Sequence, residues 1–365
     1  MIYEGTRSGH ELLKGKGMKA KINIVVILCI LFFLNNQIVF AEKAPFIKEL
    51  KLIGKFGGLD VPSEQILANP CDIAISTEGF IYVLDSEDNN FKVFKKDGTF
   101  INCYGRQGQG PGEFRRPWTL SILEGNICVA DTGNRRVQVL SKDGKYLRSY
   151  RVPIEYGSGM GFDEKGILLV NTKGFRSQKL FEVYDPQGNL TREFGDLEGE
   201  SVKYYDFILI KKQIKEGKIP HSFKNDALLI SDKSGNLFAV HRAVNKLKKF
   251  SSDGDLLCEA EIRAEEYEDI YEEFRRKNEG EDNQSIFWGL TYINDLTIDK
   301  SGNLYLLLNM PSQMIVYVFS NDCKFLGKLL GVEDSIFRMD ISDENELFAL
   351  SQETQIVYKF SLNYY

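Results

Sequence analysis

Few side chains in this sequence are suited to acid–base or metal chemistry. After residue 41 the chain has two histidines, His221 and His241, whereas water-activating zinc sites often use three. Asp85 and Asp88 could offer oxygen ligands, but their segment lacks the glycine and the distal glutamate of an EF-hand loop. No Ser-His-Asp order, nucleophile elbow or pair of catalytic carboxylates can be assigned. We therefore expect no catalytic residue, no metal and no cofactor.

Arginine and aromatic side chains are better candidates for binding an anionic or carbohydrate-like ligand, because a guanidinium presents a planar set of donors. Two arginines and a tryptophan lie within residues 115–118. The alternative is that these arginines pair with neighbours such as Glu113 and Asp131. A lone histidine such as His241 more often hydrogen-bonds a loop carbonyl. The candidate ligand-binding residues are Arg115, Arg116, Trp118, Arg135, Arg176, His221, His241 and Arg338.

The glycine-rich stretch GRQGQGPGEF, residues 105–114, does not fit a phosphate-binding loop. Such a loop opens a helix and often carries Lys-Ser or Lys-Thr after its glycines. Here Pro111 and Glu113 interrupt the glycines, and the next element has the pattern of a strand. The stretch is better interpreted as a turn between two repeated units.

The elements that must position these residues recur along the chain. Residues 71–105 and 118–150 each contain four short apolar or alternating runs separated by turn residues. In the first unit Gly79 precedes Asp85 by six positions and Gly98 follows it by thirteen; Gly125, Asp131 and Gly144 repeat both intervals. Asp-Gly pairs join the third and fourth runs, as tight hairpins require. The chain therefore contains copies of one four-stranded unit.

Further copies predict the number of units and the way the fold closes. Gly235, His241 and Gly254 keep both intervals, and looser copies cover residues 160–195 and 301–330. The last unit, from residue 336, supplies three strands, and the N-terminal segment 51–58 resembles the missing fourth. We predict an all-β, six-bladed β-propeller of four-stranded antiparallel blades, its ring closed by the N-terminal strand.

The residues 104–118 and 127–150 also carry a family resemblance. The segment YGRQGQGPGEFRRPW, followed by ICVADTGNRRVQVLSKDGKYLRSY, resembles an NHL repeat, and the chain after residue 41 resembles bacterial NHL-like six-bladed propellers. The resemblance implies a propeller with a binding surface, and it does not imply a reaction. Related propeller lyases use several histidines at a metal site, a pattern from which this sequence departs.

Two long connections are the best candidates for carrying function, because long loops in compact domains often do. The predicted propeller domain, residues 42–365, has insertions at 196–225 and 263–291. In the second, Tyr267, Ile270, Tyr271 and Phe274 form an apolar stripe with helical spacing. This pattern fits a partner-binding helix over the channel mouth, and equally a helix that only packs on the propeller.

The N-terminal residues predict export from the cytoplasm. Residues 18–41 have the order of a Sec signal peptide: basic residues, an apolar core and a small residue at the end. Residues 1–17 are expected to be an upstream extension. An uncleaved anchor is the alternative, but polar residues interrupt the apolar run before it reaches the length of a membrane span. We expect a secreted or periplasmic protein without stable membrane insertion after cleavage.

Charge and cysteine content restrict the partners. Residues 1–41 carry five of the 46 basic and two of the 52 acidic residues, so 41 basic and 50 acidic side chains remain, a net charge of −9. An acidic protein is a poor binder of nucleic acid, which we exclude as a partner. The five remaining cysteines are too irregularly spaced for a disulfide framework, so we expect mostly unpaired, buried thiols.

Two functional hypotheses follow. The first is an extracytoplasmic binding or interaction propeller that recognises a protein, a small molecule or a carbohydrate on the face bearing the two insertions. The second is a metal-dependent lyase or hydrolase at the channel mouth, with His221 and His241 among its residues. The sequence favours the first, because it shows no enzyme signature.

Overall fold

The computed structural model describes residues 45–123, 125–154, 159–163, 166–201, 205–279 and 287–362. Their strands form six sheets. The predicted extension 1–17 and signal peptide 18–41 lie outside these residues. None of the helices in the described ranges is long and apolar enough to cross a membrane.

The chain begins with two short strands and then forms its first three blades in order. The initial strands are β1 (Phe46–Glu49) and β2 (Lys51–Gly57). Blade 1 contains β3 (Pro70–Ile75), β4 (Ile81–Asp85), β5 (Asn90–Phe94) and β6 (Phe100–Tyr104). Blade 2 contains β7 (Thr119–Leu123), β8 (Asn126–Asp131), β9 (Arg136–Ser141) and β10 (Tyr146–Arg151). Blade 3 contains β11 (Met160–Phe162), β12 (Leu168–Asn171), β13 (Lys179–Tyr184) and β14 (Leu190–Asp196).

The remaining blades continue the order, with helices α1 (Phe207–Lys215) and α2 (Tyr267–Glu279) in the connections before and after blade 4. Blade 4 contains β15 (Ala227–Ser231), β16 (Leu237–His241), β17 (Lys246–Phe250) and β18 (Leu256–Glu261). Blade 5 contains β19 (Ile293–Ile298), β20 (Leu304–Leu308), β21 (Ile315–Phe319) and β22 (Phe325–Leu330). Blade 6 contains β23 (Ile336–Ile341), β24 (Glu346–Ser351), β25 (Ile356–Ser361) and the N-terminal β2.

The core lies between neighbouring blades, whose middle strands are apolar on both faces. All five residues of β4, β20 and β21 are buried. The fourth strands alternate or are mostly exposed, as in β6 and β10, because they form the outside of the ring. This distribution explains why the repeats appear as apolar runs followed by a more polar strand.

The predicted closure of the ring by the N-terminal strand is confirmed. Strand β2 pairs antiparallel with β25, with Leu52 opposite Phe360 and Phe56 opposite Val357. A Cβ atom at Gly98, in the last turn of blade 1, would lie 2.6 Å from the Cβ of Phe56, so the closing strand requires glycine there.

The N-terminal segment is more divided than the sequence suggested. The alternating pattern of residues 47–56, IKELKLIGKF, predicts one outer strand, but β1 pairs parallel with β22 of blade 5, and β2 pairs within blade 6. The change of partner occurs at Leu50, whose backbone N–H donates to the carbonyl of Leu330 at 2.7 Å. The segment therefore connects the last two blades by backbone hydrogen bonds to both.

One disulfide links two neighbouring blades. Cys258 of β18 is bonded to Cys323, in the turn after β21. Among the described cysteines Cys71, Cys103 and Cys128 are unpaired, and two of them are buried. The expectation of mostly unpaired thiols therefore missed this single cross-link, whose cysteines come from adjacent blades and lie 65 residues apart.

Candidate functional site

The residue at the end of the second strand of a blade forms hydrogen bonds to the segment that enters that blade. We call this place the tether position. Asp85 accepts hydrogen bonds from the N–H groups of Ala68 and Asn69, at 2.6 and 3.1 Å. Asp131 accepts from the N–H of Arg115 at 2.7 Å. At the equivalent places of blades 4, 5 and 6 the side chains donate instead: His241 to the carbonyl of Lys224, Asn309, directly after the strand, to that of Thr291, and Ser351 to the carboxylate of Asp334.

At the tether position of blade 2 a polar network fixes the glycine-rich turn. Asp131 is fully buried and pairs with Arg136 at 2.8 Å. Arg136 also donates to the carbonyls of Gln109, Gly110 and Glu113. The turn at 105–114 therefore has a structural role, in keeping with its interpretation as an inter-blade connection.

His241 occupies the tether position of blade 4 and is fully buried. Its Nδ1–H donates to the carbonyl of Lys224 at 2.8 Å, and Nε2 is sealed from solvent without a hydrogen-bond partner. Burial lowers the pKa of His241, so the neutral ring is favoured. His221 is exposed on a short 3-10 helix, and the described residues show no bond between the two histidines.

Beside His241 a carboxylate from the first insertion holds two lysines of β17. Glu198 accepts from Lys246 at 2.6 Å and from Lys248 at 2.5 Å. Although burial opposes the shift, these hydrogen bonds lower the pKa of Glu198 to about 2. The insertion is thereby anchored to blade 4 by an ionic contact as well as by apolar packing.

The arginines at 115 and 116 are exposed and lie together. Both line a shallow depression of about 560 Å³ with Asn89, Gln107 and Gly133. The two acidic neighbours that we considered as partners are engaged elsewhere, Glu113 with Arg106 and Asp131 with Arg136. Within the described ranges the side chains of Arg115, Arg116 and Arg135 form no ion pair.

Two of the candidates meet inside the central channel instead of at its rim. Arg338 is mostly buried, and its guanidinium carbon lies 4.0 Å from the ring centre of Phe337 and 5.4 Å from that of Trp118. It donates to the carbonyls of Cys71 and Asn294, each at 3.0 Å. Arg338 thus joins the inner strands of three blades.

Arg176 is also held by the protein. Its Nη2 donates to Glu182 at 2.8 Å, and its Nη1 donates to the carbonyl of Pro153. The structure therefore separates the eight candidates: Trp118 and Arg338 meet in the channel, Arg115 and Arg116 share one depression, and the others lie apart.

Three partly buried carboxylates connect adjacent inner strands around the channel. Asp72 accepts from the N–H of Leu120, Asp295 from that of Met339, and Asp340 from that of Ile75, each at 2.8 Å. Burial raises all three pKa values, that of Asp295 to about 7 and that of Asp340 to about 6. For Asp72 and Asp295 the attraction of Arg338 opposes the effect of burial.

The predicted helix in the second insertion packs with its apolar stripe inward. Tyr267, Ile270 and Phe274 are buried, and their cluster includes Ile210 and Ile214 of α1. The two helices and blades 4 and 5 thus share one core. The stripe therefore has a structural role.

A cleft remains between α2 and blade 5; we call it the helix cleft. It has a volume of about 490 Å³. Its lining comprises Arg242, Asp269, Ile270, Glu273, Phe274, Lys277, Trp288, Gly289, Thr291, Asn294, Asn309, Met310, Pro311 and Ser312.

Sequence reasoning missed the two most informative residues of this cleft, Arg242 and Trp288. Trp288 is 51 % exposed, and the ammonium of Lys277 lies 5.3 Å from its ring centre. Two signals pointed to them: Trp288 lies in the second insertion, and Arg242 follows the singled-out His241.

Comparison with known proteins identifies the propeller type. Residues 56–219 match the model of a family described as a 6-bladed beta-propeller. The chain is 26 % identical over 172 residues to the protein brain tumor of Drosophila melanogaster, and 31 % over 87 residues to NHL repeat-containing protein 3 of Homo sapiens. The chain is an NHL-type β-propeller.

The NHL-type propeller spans only part of these relatives. The alignments cover 44 % and 22 % of this chain, and 16 % and 25 % of the fly and human proteins, respectively. The shared NHL repeats support a general role in binding or interaction, and they do not identify a ligand.

Solved structures agree on the fold. Virginiamycin B lyase from Staphylococcus aureus superposes with a TM-score of 0.52 at 11 % identity, covering 86 % of this chain and 100 % of the other. A member of the DUF4221 family from Bacteroides vulgatus gives 0.53 at 10 %, covering 86 % and 98 %. At such identities the likeness concerns architecture alone.

Proposed function

We propose that this NHL-type propeller is an extracytoplasmic interaction module that binds a protein partner on the face bearing α1 and α2. The observation that carries the proposal is the helix cleft, which combines buried apolar groups with a half-exposed tryptophan. Exposed tryptophan is enriched among the residues that dominate binding energies. A partner would cover this ring and the apolar groups beside it.

The backbone of Trp288 is fixed although its ring is exposed. Its N–H donates to Oδ1 of Asn278 at 2.9 Å, and its carbonyl accepts from Nδ2 of the same side chain at 3.3 Å. Asn278 is itself buried in α2. The tryptophan is therefore presented by a helix that packs on the core, which lowers the entropy that binding would cost.

Two features support a location outside the cytoplasm. The pattern of residues 18–41 is that of a signal peptide. The disulfide Cys258–Cys323 joins two blades, and such structural disulfides persist mainly in oxidising compartments.

The metal-dependent lyase or hydrolase receives no comparable support. The described part of the chain contains no group of three His, Cys, Asp or Glu side chains placed to hold a metal ion. Metal analysis of the purified protein tests this alternative, and a tightly held stoichiometric transition metal would revive it.

Selection of peptides from a displayed library on the immobilised protein tests the proposal. For the selected peptides Trp288→Ala should weaken binding roughly 30-fold, the loss expected for a tryptophan that anchors an interface. Leu147→Ala, which removes a side chain of similar exposure from the outer strand of blade 2, should leave binding unchanged. Equal affinity of the wild-type protein and Trp288→Ala would place the binding surface elsewhere.

Point substitution is preferable to deletion of the insertion. Removing residues 263–291 would take Tyr267, Ile270 and Phe274 out of the shared core. A loss of binding after that deletion would therefore report a loss of folding.

A further inference from the structure

The backbone of Arg242 is held where the two insertions meet blade 4. Its N–H donates to the carbonyl of Asp226 at 2.8 Å, and its own carbonyl accepts from the N–H of Tyr292 at 2.6 Å. The residue lines the helix cleft and is mostly buried. Its main chain is thus tied to the connections before and after blade 4.

The guanidinium of Arg242 has no hydrogen-bonded counterion among the described residues. Its Nε is sealed from solvent without a hydrogen-bond partner. The nearest carboxylate oxygen, Oδ2 of Asp226, lies 3.8 Å away, beyond hydrogen-bonding distance. Arginine does not lose its charge in proteins, so a mostly buried cation remains here without a carboxylate at hydrogen-bonding distance.

The charged groups near Arg242 do not supply the hydrogen-bond acceptor that its guanidinium lacks. Burial lowers the pKa of Arg242, and the attraction of Asp226 and Asp295 opposes this while Arg338 repels it. The cleft wall has two acidic residues: Glu273 pairs with Arg276 at 2.7 Å and with Lys277 at 3.4 Å, and Asp269 is exposed in the first turn of α2 and forms no ion pair with Arg242. An incoming carboxylate that reaches the Nη groups of Arg242 would give this cation a counterion at hydrogen-bonding distance.

We infer that the helix cleft binds the C-terminal carboxylate of its protein partner at Arg242. The side chain of the partner's last residue packs against the apolar lining formed by Phe274, Trp288 and Met310. This inference rests on the proposed function and deepens it by naming the part of the partner that is recognised.

A chain end fits this lining better than an acidic side chain. In a C-terminal residue the carboxylate and the side chain leave the same Cα atom, so one residue presents both an anion and an apolar group. An aspartate or glutamate uses its side chain for the anion, and a second residue must then supply the apolar contact. The cleft, with a volume of about 490 Å³, places its one poorly satisfied guanidinium and its apolar groups in one space.

The test compares fluorescein-labelled hexapeptides that end in Leu, Met or Phe, with five randomised positions before the last, as free acids and as C-terminal amides. We expect the acids to bind the wild-type protein at least 10-fold more tightly than the matched amides. Arg242→Gln should abolish this difference. Arg263→Gln, which removes an exposed, ion-paired arginine outside the cleft, should preserve it.

The outcomes separate this inference from the proposed function. Acids and amides that bind wild-type protein equally, but lose affinity in Trp288→Ala, would overturn the role of Arg242 and leave the binding face intact. Binding that is insensitive to Trp288→Ala would overturn both. Because the acid–amide comparison uses wild-type protein, it remains decisive if Arg242→Gln does not fold.

Discussion

Blades 2 and 4 both have a buried polar residue at the tether position, but these two residues differ in their hydrogen bonding. In blade 2 Asp131 is fully buried and accepts hydrogen bonds or ion pairs from Arg115, Asn134 and Arg136. In blade 4 His241 is equally buried, but its Nε2 has no partner. The tether side chain of blade 2 thus has hydrogen-bond partners, whereas that of blade 4, where the insertions join the propeller, has one ring nitrogen without a partner.

The difference extends beyond one residue. Among the described residues, most sealed side-chain polar atoms without a hydrogen-bond partner belong to the tether region of blade 4 or to α2, and two lie in other blades, at Arg192 and Gln355. Those of the tether region are at Ser222, Asn225, Asp226, His241 and Arg242, and those of α2 are at Tyr267 and Tyr271. Each such atom costs about 1–3 kcal/mol of folding stability. A protein keeps such groups most readily where binding needs them. This distribution supports our proposal that blades 4 and 5 carry the binding site.

The largest effect that separates the two regions should come from their tether residues. Asp131→Ala should lower the free energy of unfolding by about 3–5 kcal/mol, because it leaves the Arg136 guanidinium partly buried without its carboxylate. His241→Asn should cost about 1 kcal/mol, because an amide N–H can still donate to the carbonyl of Lys224. Urea unfolding of both variants measures the difference.

Asp185→Ala, which removes a partly exposed turn carboxylate, serves as the matched control for lost charge. If His241→Asn destabilised the protein as much as Asp131→Ala does, both tethers would be equally structural, and the contrast between the blades would disappear.

The regularity of the first blades also explains what the sequence could predict. Gly79, Asp85, Gly98 and their counterparts in blade 2 recur because every tight turn and tether needs the same residue types. These local requirements are visible in one chain, so the fold and its closure were predictable. The split between β1 and β2 was not, because the change of partner strand depends on contacts with Leu330, nearly 300 residues away.

The candidate site was less accessible to prediction for a related reason. Arg115, Arg116 and Trp118 were chosen because they are neighbours in sequence, but Trp118 faces Arg338 of the last blade. Arg242 and Trp288 come together only when α2 packs on blade 5. No sequence motif reveals contacts between segments that are so far apart in the chain.

The disulfide gives a second, smaller test of the comparison, since it joins the two blades that we assign to recognition. Replacing Cys258 and Cys323 with serine should lower the free energy of unfolding by about 2–4 kcal/mol, as expected for opening a loop of 65 residues. Thermal unfolding with and without reductant measures this. Cys103→Ser, at an unpaired and partly exposed cysteine of blade 1, should change little and keep its sensitivity to reductant. If reductant left the melting temperature of the wild-type protein unchanged, the disulfide would contribute nothing to the stability of blades 4 and 5.

The channel provides the smallest effect, a dependence on pH that should follow Asp295 of blade 5. Burial raises the pKa of Asp295 to about 7, whereas an unfolded aspartate titrates near 4. Between these values the folded protein holds a proton that the unfolded chain has released, so this group makes stability fall as pH rises from about 4 to 7. Asp295→Asn removes that dependence, and the melting temperature of the variant relative to wild type should rise between pH 5 and pH 8, by an amount equivalent to about 2–3 kcal/mol. Asp185→Asn is the control, because hydrogen bonds to Asn189 lower the pKa of Asp185 and its contribution is constant over this range. A constant difference between Asp295→Asn and wild type would show that Asp295 is already ionised in the folded channel, with Arg338 offsetting its burial.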